Sequence, residues 1–269
     1  MESSKSYPIW VYRGNQPQEK ADWVAVEAPL EIRINQNNNT HTFSISMRTP
    51  GQDADLALGF LFGEGVLAWD YIEAIHIERS KPNVITLHFP AELVFDWKRY
   101  QRNHYTTSSC GVCGKTALEQ VFQRIPFPES PNHWTVGATM LGTLPERLRK
   151  KQDLFLRTGG NHAAGLFSRN GDLIALAEDV GRHNAMDKLV GQQLREGHIP
   201  LTNHILVLSG RASFELIQKA AMAGIRLVIA VGAPSSLAID LADEQGITLC
   251  GFTRADRFNC YTNPARIHV

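Results

Sequence analysis

Three short apolar runs in the C-terminal half constrain the fold of this chain more than any other feature. They are Ile205-Leu206-Val207-Leu208, Leu227-Val228-Ile229-Ala230-Val231 and, more weakly, Ile247 to Gly251. Successive side chains of a strand point to opposite sides, so a strand apolar at every position must be covered on both faces. Between the runs, Ser213 to Ala223 and Ser235 to Glu244 carry helical patterns. The order strand, helix, strand, helix, strand predicts an α/β region with a doubly wound parallel sheet and helices on both faces. Upstream, Ala163–Phe167 and Leu173–Ala177 flank Asn170-Gly171 and read as a hairpin that adds to it.

The N-terminal half has a different character. Pro29–Ile34 and Thr42–Met47 alternate apolar and polar residues around the turn-forming run Asn35–Thr40, which predicts a β-hairpin. Ala54–Phe62 has the density of a buried helix, stopped by Gly63 and Gly65. Tyr71–Glu78 and Val84–Phe89 read as a second hairpin, turned by Ser80–Asn83. Residues 1–20 are polar and are expected to fray. Pro126, Pro128 and Pro131 mark a linker at about 125–135. The expected organisation is a smaller mixed α+β domain over 1–125 and a larger α/β domain over 136–269, two domains being what 269 residues suggest at roughly 150 per domain.

Composition narrows the function classes. Apolar residues make up 43% and charged residues 20%, enough for a sizeable core and incompatible with wholesale disorder. Lys plus Arg equal Asp plus Glu at 27 each, so bulk binding to nucleic-acid backbone, which needs a basic excess, is not expected. The longest apolar stretch, Leu227–Val231, is far short of the ~20 residues of a membrane-spanning helix. Met1–Val24 has no signal-peptide core, and four cysteines cannot build a disulfide scaffold. The expectation is a soluble protein of a reducing compartment, with no membrane or nucleic-acid partner. There a close cysteine pair is more often chemical than structural.

That pair is Cys110-Gly111-Val112-Cys113, just before a predicted helix over Thr116–Arg124. Helix N–H groups, the helix dipole and Lys115 all favour the thiolate, which is the nucleophilic form. Such a thiolate can accept a sulfane sulfur, exchange disulfides or bind metal. A structural zinc site needs four ligands, and Cys250 and Cys260 make no second CxxC. On the residues alone, a reactive pair, a zinc site and a pair without chemistry all stay open.

Thr158-Gly159-Gly160-Asn161-His162 offers a ligand approach at the glycines and a titratable ring at His162. Glu178 to Lys188 gathers Glu178, Asp179, Arg182, His183 and Asn184 directly after a buried strand, which favours a site over a solvated helix start. Three further loops each follow a buried strand: Ser209-Gly210-Arg211, Gly232-Ala233-Pro234-Ser235-Ser236, and Phe252-Thr253-Arg254-Ala255-Asp256-Arg257-Phe258. Strand C-termini of an open parallel sheet share one edge, where ligands bind. Arg211, Arg254 and Arg257 can grip phosphate oxygens bidentately, and Asp256 can accept from the N–H edge of a purine. Neither GxxxxGK[ST] nor GxGxxG occurs, so NTP hydrolysis and Rossmann-type dinucleotide binding are not expected. The candidate ligand-binding set is therefore Ser209, Gly210, Arg211, Gly232, Ser235, Phe252, Thr253, Arg254, Ala255, Asp256 and Arg257 together with His162, and no metal-ligating set is assigned.

Taken in order, Arg48-Thr-Pro-Gly-Gln-Asp53, Leu58–Gly65, Ser108-Ser-Cys-Gly-Val-Cys-Gly114, Thr158–His162, Glu178–Ala185, Ser209–Arg211 and Gly251–Arg254 resemble the FdhD/NarQ family over roughly residues 25–262. The resemblance implies a cytoplasmic, homodimeric sulfur carrier with sulfurtransferase activity, required for formate dehydrogenase activity. It implies that Cys110 carries a persulfide taken from a cysteine desulfurase, with Cys113 as its companion. It implies that the sulfur passes to a molybdenum (or tungsten) bis(guanine dinucleotide) cofactor, bound in part by Phe252–Arg257, and that GDP can mimic that cofactor. It also implies a cytidine-deaminase-like fold. Deaminase chemistry is not expected, because His162-Ala163-Ala164 lacks the proton-shuttling Glu and the cysteines precede the histidine. The competing class is a non-catalytic chaperone that shelters the cofactor, with structural or zinc-binding cysteines.

Overall fold

The computed structural model describes residues 2–93, 124–127 and 134–269. Cys110 and Cys113, the helix expected over Thr116–Arg124 up to residue 123, and much of the expected linker lie outside the described residues.

The chain opens with β1 (Ser4–Arg13) and β2 (Gln16–Ala25), then β3 (Ala28–Gln36), β4 (Asn39–Arg48) and α1 (Asp53–Gly63). A 3-10 turn over Trp69–Ala74 leads to β5 (His76–Lys81) and β6 (Val84–His88). After the interruption come β7 (Val136–Gly137), α2 (Ala138–Arg149), α3 (Asp153–Thr158), β8 (His162–Phe167), β9 (Leu173–Asp179) and α4 (Arg182–Arg195). The rest is β10 (Ile205–Leu208), α5 (Phe214–Met222), β11 (Leu227–Ala230), α6 (Ser236–Glu244), β12 (Thr248–Arg254), β13 (Arg257–Thr262) and β14 (Ile267–His268).

The three apolar runs are strands β10, β11 and β12, paired in parallel at the centre of a six-stranded sheet ordered β13-β12-β11-β10-β8-β9. Their alternation divides the core in two. Leu206, Leu208, Val228, Ala230 and Leu249 face α4, α5 and α6, while Ile205, Val207, Leu227, Ile229 and Cys250 face α2. Helices therefore cover both faces of a mixed α/β fold, but two details differ from expectation. Within this sheet, among the described residues, only these three strands run parallel, since β8, β9 and β13 pair antiparallel. The winding is also not double: the strand order advances steadily from β10 to β12, so two right-handed crossovers put α5 and α6 on the same face. The other face is covered by α2, which arrives from upstream.

A second, four-stranded sheet, ordered β4-β3-β6-β5, forms the N-terminal part. Leu30, Ile32 and Ile34 of β3 pack against Leu56, Leu58 and Leu61 of α1. Both hairpins expected in this region form, with β5 starting only at His76 because the preceding residues coil into the 3-10 turn. Residues 1–20 depart from expectation. Ser4 to Ala25 make the β1–β2 ribbon, turned at Gly14 in the left-handed region. Pro8, Trp10 and Tyr12 share a face with Pro17, Ala21 and Trp23 across the register, and Arg157 of α3 stacks over the Trp23 ring at 3.5 Å. A ribbon exposed on both sides needs no polar alternation, so the period-two signal that betrays a half-buried strand is weak there.

The two sheets are joined by a close crossing of α1 and α4. A Cβ on Gly59 would lie 1.9 Å from the Asp187 carbonyl oxygen, and one on Gly191 would lie 1.8 Å from that of Asp55. Backbone meets backbone, so neither side can yield by turning a side chain. Gly191→Ala should cost about 1–3 kcal/mol or more through forced separation of the helices. Thermal denaturation should show its midpoint falling by roughly 2–4 °C per kcal/mol for a chain of this size. Gly160→Ala, whose nearest neighbour would be 3.8 Å away, should leave the midpoint in place.

Candidate functional site

The ends of β10 and β11 become one ledge because the loops that follow them are stitched together. Val231 N donates to Leu208 O at 3.1 Å, Gly232 N to Gly210 O at 2.9 Å, Ala212 N to Ala233 O at 3.1 Å and Ser235 N to Ala212 O at 3.0 Å. Phe252 N donates to Gly232 O at 3.1 Å and brings in the end of β12. Glycines make this approach possible. A Cβ on Gly232 would stand 3.0 Å from Arg211 Cγ, and one on Gly251 would stand 2.9 Å from Pro234 Cδ. On the other side, Ala163 N donates to Ser209 Oγ at 2.8 Å and ties the ledge to β8. The His162 ring lies over Gly210, whose Cβ would meet Nδ1 at 3.3 Å.

Thus Ser209, Gly210, Arg211, Gly232, Ser235, Phe252 and His162 come together. Two of them have structural work for their side chains: Ser209 as just described, and Ser235, whose Oγ accepts from Ala238 N at 3.3 Å and caps α6. Arg254 folds back on the ledge, its Nη1 donating to Val231 O at 3.0 Å and Thr253 O at 2.7 Å. The expected loop over Phe252–Phe258 is instead a hairpin: β12 runs on to Arg254, pairs with Arg257 of β13, and turns at Ala255-Asp256. Its exposed tip is braced on α2, where a Cβ on Gly142 would lie 2.8 Å from Ala255 O. Phe252 adopts φ 52 in a register irregularity and stays 46% exposed, an unusual backbone state for an aromatic residue. Thr253 is fully buried, and its Oγ1 has no hydrogen-bond partner among the described residues.

The electrostatics favour an anion. Burial lowers the pKa of His162, and the guanidiniums of Arg182 and Arg211 lower it further against the pull of Asp179. Burial and the two guanidiniums thus favour the neutral ring. A proton NMR titration should place its midpoint below 6.5. Arg211→Ala should shift that midpoint upward, because a repelling charge is removed. Arg182 Nε is buried with no hydrogen-bond partner among the described residues, a donor left for something else to satisfy. Arg182 was visible in the sequence only as one of many polar residues in its segment.

Most of that segment proves architectural rather than chemical. Asp179 Oδ2 accepts from Thr49 N at 3.0 Å and pairs with Lys188 Nζ at 2.7 Å. Its Oδ1 accepts from Gly181 N at 2.8 Å and Asn184 Nδ2 at 3.0 Å. Asn184 reaches Met47 O at 2.7 Å, and Asn161 reaches Thr49 Oγ1 at 3.2 Å. Arg48, fully buried, pairs with Asp53 at 2.8 Å. Glu178 accepts from Leu154 N and Phe155 N at 3.0 and 2.8 Å and so caps α3; burial raises its pKa despite these bonds. Asp179, Asn184, Lys188 and Asn161 therefore tie the larger sheet to the segment Met47–Thr49 that ends β4, whereas Arg182 of the same segment faces the ledge.

The chain is 46% identical over 264 residues to the sulfur carrier protein FdhD of Streptomyces avermitilis, covering 92% of this chain and 90% of that one. It is 45% identical over 259 residues to the sulfur carrier protein FdhD of Mycobacterium tuberculosis, covering 92% of each. A crystal structure described as a formate dehydrogenase accessory protein, from Desulfotalea psychrophila, superposes with a TM-score of 0.74 at 25% identity, covering 99% of this chain and 100% of that one. The profile of the FdhD/NarQ family matches residues 25–268, and the chain belongs to that family.

Proposed function

We propose that this protein is a sulfur carrier that serves formate dehydrogenase. The Cys110 thiolate attacks the outer sulfur of a persulfide on a cysteine desulfurase. The donor's S–S bond breaks, its cysteine leaves as thiolate, and the sulfur remains on Cys110 as a new persulfide. Cys113 is the companion thiol. The substrate that receives the sulfur is a bis(guanine dinucleotide) molybdenum cofactor, and its nucleotide arms bind along Ser209–Arg211, Gly232–Ser235 and Phe252–Arg257, beside His162. The acting form is a cytoplasmic homodimer, and the larger sheet is read as the cytidine-deaminase-like part of the chain.

One observation supports this reading most directly: the strand-end ledge meets two guanidiniums, a neutral imidazole and an orphaned Arg182 donor, in a chain whose relatives are named sulfur carriers. A phosphate there would satisfy Arg182 Nε.

Two measurements test it. Incubation with a desulfurase and cysteine should load cyanolysable sulfur onto the protein; none would overturn the carrier role. Calorimetry should show GDP binding that Arg211→Ala and Arg254→Ala each weaken about tenfold or more, since a hydrogen bond to a charged group is worth about 1.5–3 kcal/mol. Unchanged affinity in both variants would place the nucleotide elsewhere.

A further inference from the structure

The ladder between β12 and β13 places side by side two cysteines that stand ten residues apart in the chain. Cys250 and Cys260 are directly opposed partners, with a register irregularity on either side of the Cys250–Gly251 stretch. Opposed residues of an antiparallel pair project their side chains from the same face. Their Cα atoms stand about 4.5–5.5 Å apart, inside the ~4.4–6.8 Å that a disulfide spans. Both thiols are free, and the Cys260 thiol donates to Thr262 O at 3.3 Å.

Their settings are unequal. Cys250 is fully buried in the core that faces α2, whereas Cys260 is exposed on the outermost strand of the sheet. The neighbouring Cys250 thiol favours a thiolate on Cys260 and lowers its pKa, while burial of the sulfur opposes this. The neighbouring Cys260, together with burial, pushes the Cys250 thiol up. An accessible sulfur with thiolate character beside a second sulfur in disulfide reach is the build of an attacking and a resolving cysteine.

We propose that Cys260 and Cys250 form a second thiol site, separate from the CxxC pair, that reacts with small-molecule disulfides and closes into a Cys250–Cys260 disulfide. The Cys260 thiolate attacks one sulfur of RSSR; that S–S bond breaks and RS⁻ leaves. Cys250 gives its proton to the departing thiolate and attacks the Cys260 sulfur of the mixed disulfide, releasing the second RS⁻, which is protonated from solvent. Two protein thiols are oxidised and one RSSR is reduced to two RSH. The turn Phe252–Arg257 lies between the two cysteines, so the closed state cross-links the base of the hairpin that presents it. This site does not rest on the sulfur-carrier reading.

The test uses the full chain, exposed to oxidised glutathione, trapped with an alkylating reagent and digested with trypsin. Cleavage places Cys250 in the peptide 227–254, Cys260 in 258–266, and Cys110 with Cys113 together in 103–115, so the pairs are read separately. The expected result is 227–254 cross-linked to 258–266, two hydrogens lighter than their sum. Cys260→Ser should leave Cys250 reduced. Cys250→Ser should trap a lasting glutathione adduct on 258–266. Recovery of Cys250 fully alkylated while Cys260 carries glutathione would overturn the proposal, and so would a Cys260 that takes no adduct in either the parent or Cys250→Ser.

Discussion

Cys110→Ala is expected to abolish activation of formate dehydrogenase in cells that lack any other copy of this protein, while purified variant and parent melt alike. The expectation follows from chemistry that no neighbour can replace. Sulfane sulfur is held by a covalent S–S bond, and an alanine methyl forms none. Under the proposed route the loss is complete rather than graded, because serine, threonine or lysine cannot stand in for a thiolate as a carrier of outer sulfur. Cyanolysis separates this from a folding defect: the variant should carry no labile sulfur after exposure to desulfurase and cysteine, yet bind GDP with parental affinity. Full client activity in the variant would refute the role given to Cys110. Loss of GDP affinity would show that the substitution disturbs more than the sulfur. Cys113→Ala should retain part of the activity if Cys113 only assists.

Lys188→Met is the substitution expected to cost most in stability among the described residues. Lys188 and Asp179 are 2% and 0% exposed and stand 2.7 Å apart. Lys188 Nζ also donates to Thr49 O at 2.8 Å and Glu178 O at 3.3 Å. Methionine keeps the bulk but removes the charge and all donors, leaving a buried carboxylate without its counter-ion and two carbonyls unsatisfied. Breaking one side of such a pair costs about 3–5 kcal/mol. The melting midpoint should fall by roughly 6–20 °C, taking 2–4 °C per kcal/mol. Asp179→Asn added to Lys188→Met should recover only part of the loss: the neutral amide needs no counter-ion, but it has one acceptor oxygen where the carboxylate meets donors on both. A double variant as unstable as the sum of the two singles, in denaturant titration, would show that the pair is not energetically coupled.

What the sequence disclosed depended on how local the signal was. Continuous apolar runs announced β10, β11 and β12 because double burial leaves no room for polar residues. The direction of winding was not legible, because it depends on strand order, which no single segment encodes. The motif residues Arg48, Asp179 and Asn184 stood out as polar groups, but their partners lie more than a hundred residues away for two of them, so chemistry and architecture looked alike. The ledge is legible in its three loops, whereas the pairing of Cys250 with Cys260 is not, because the polar residues after Gly251 read as a loop rather than as a hairpin. The signal that could have revealed it is the short polar turn Ala255-Asp256 between two arginines, with strand-like residues on either side.

The helix crossing at Gly59 and Gly191 has a mechanical consequence. Two backbones in van der Waals contact, locked beside a buried ion pair, leave no slack for one sheet to rock against the other. Amide hydrogen exchange along α1 and α4 should therefore report a single cooperative block that opens only with the whole molecule. Whatever accommodation a bulky cargo demands must come from the rim, in hairpin tips and connecting turns, while the chassis beneath stays still.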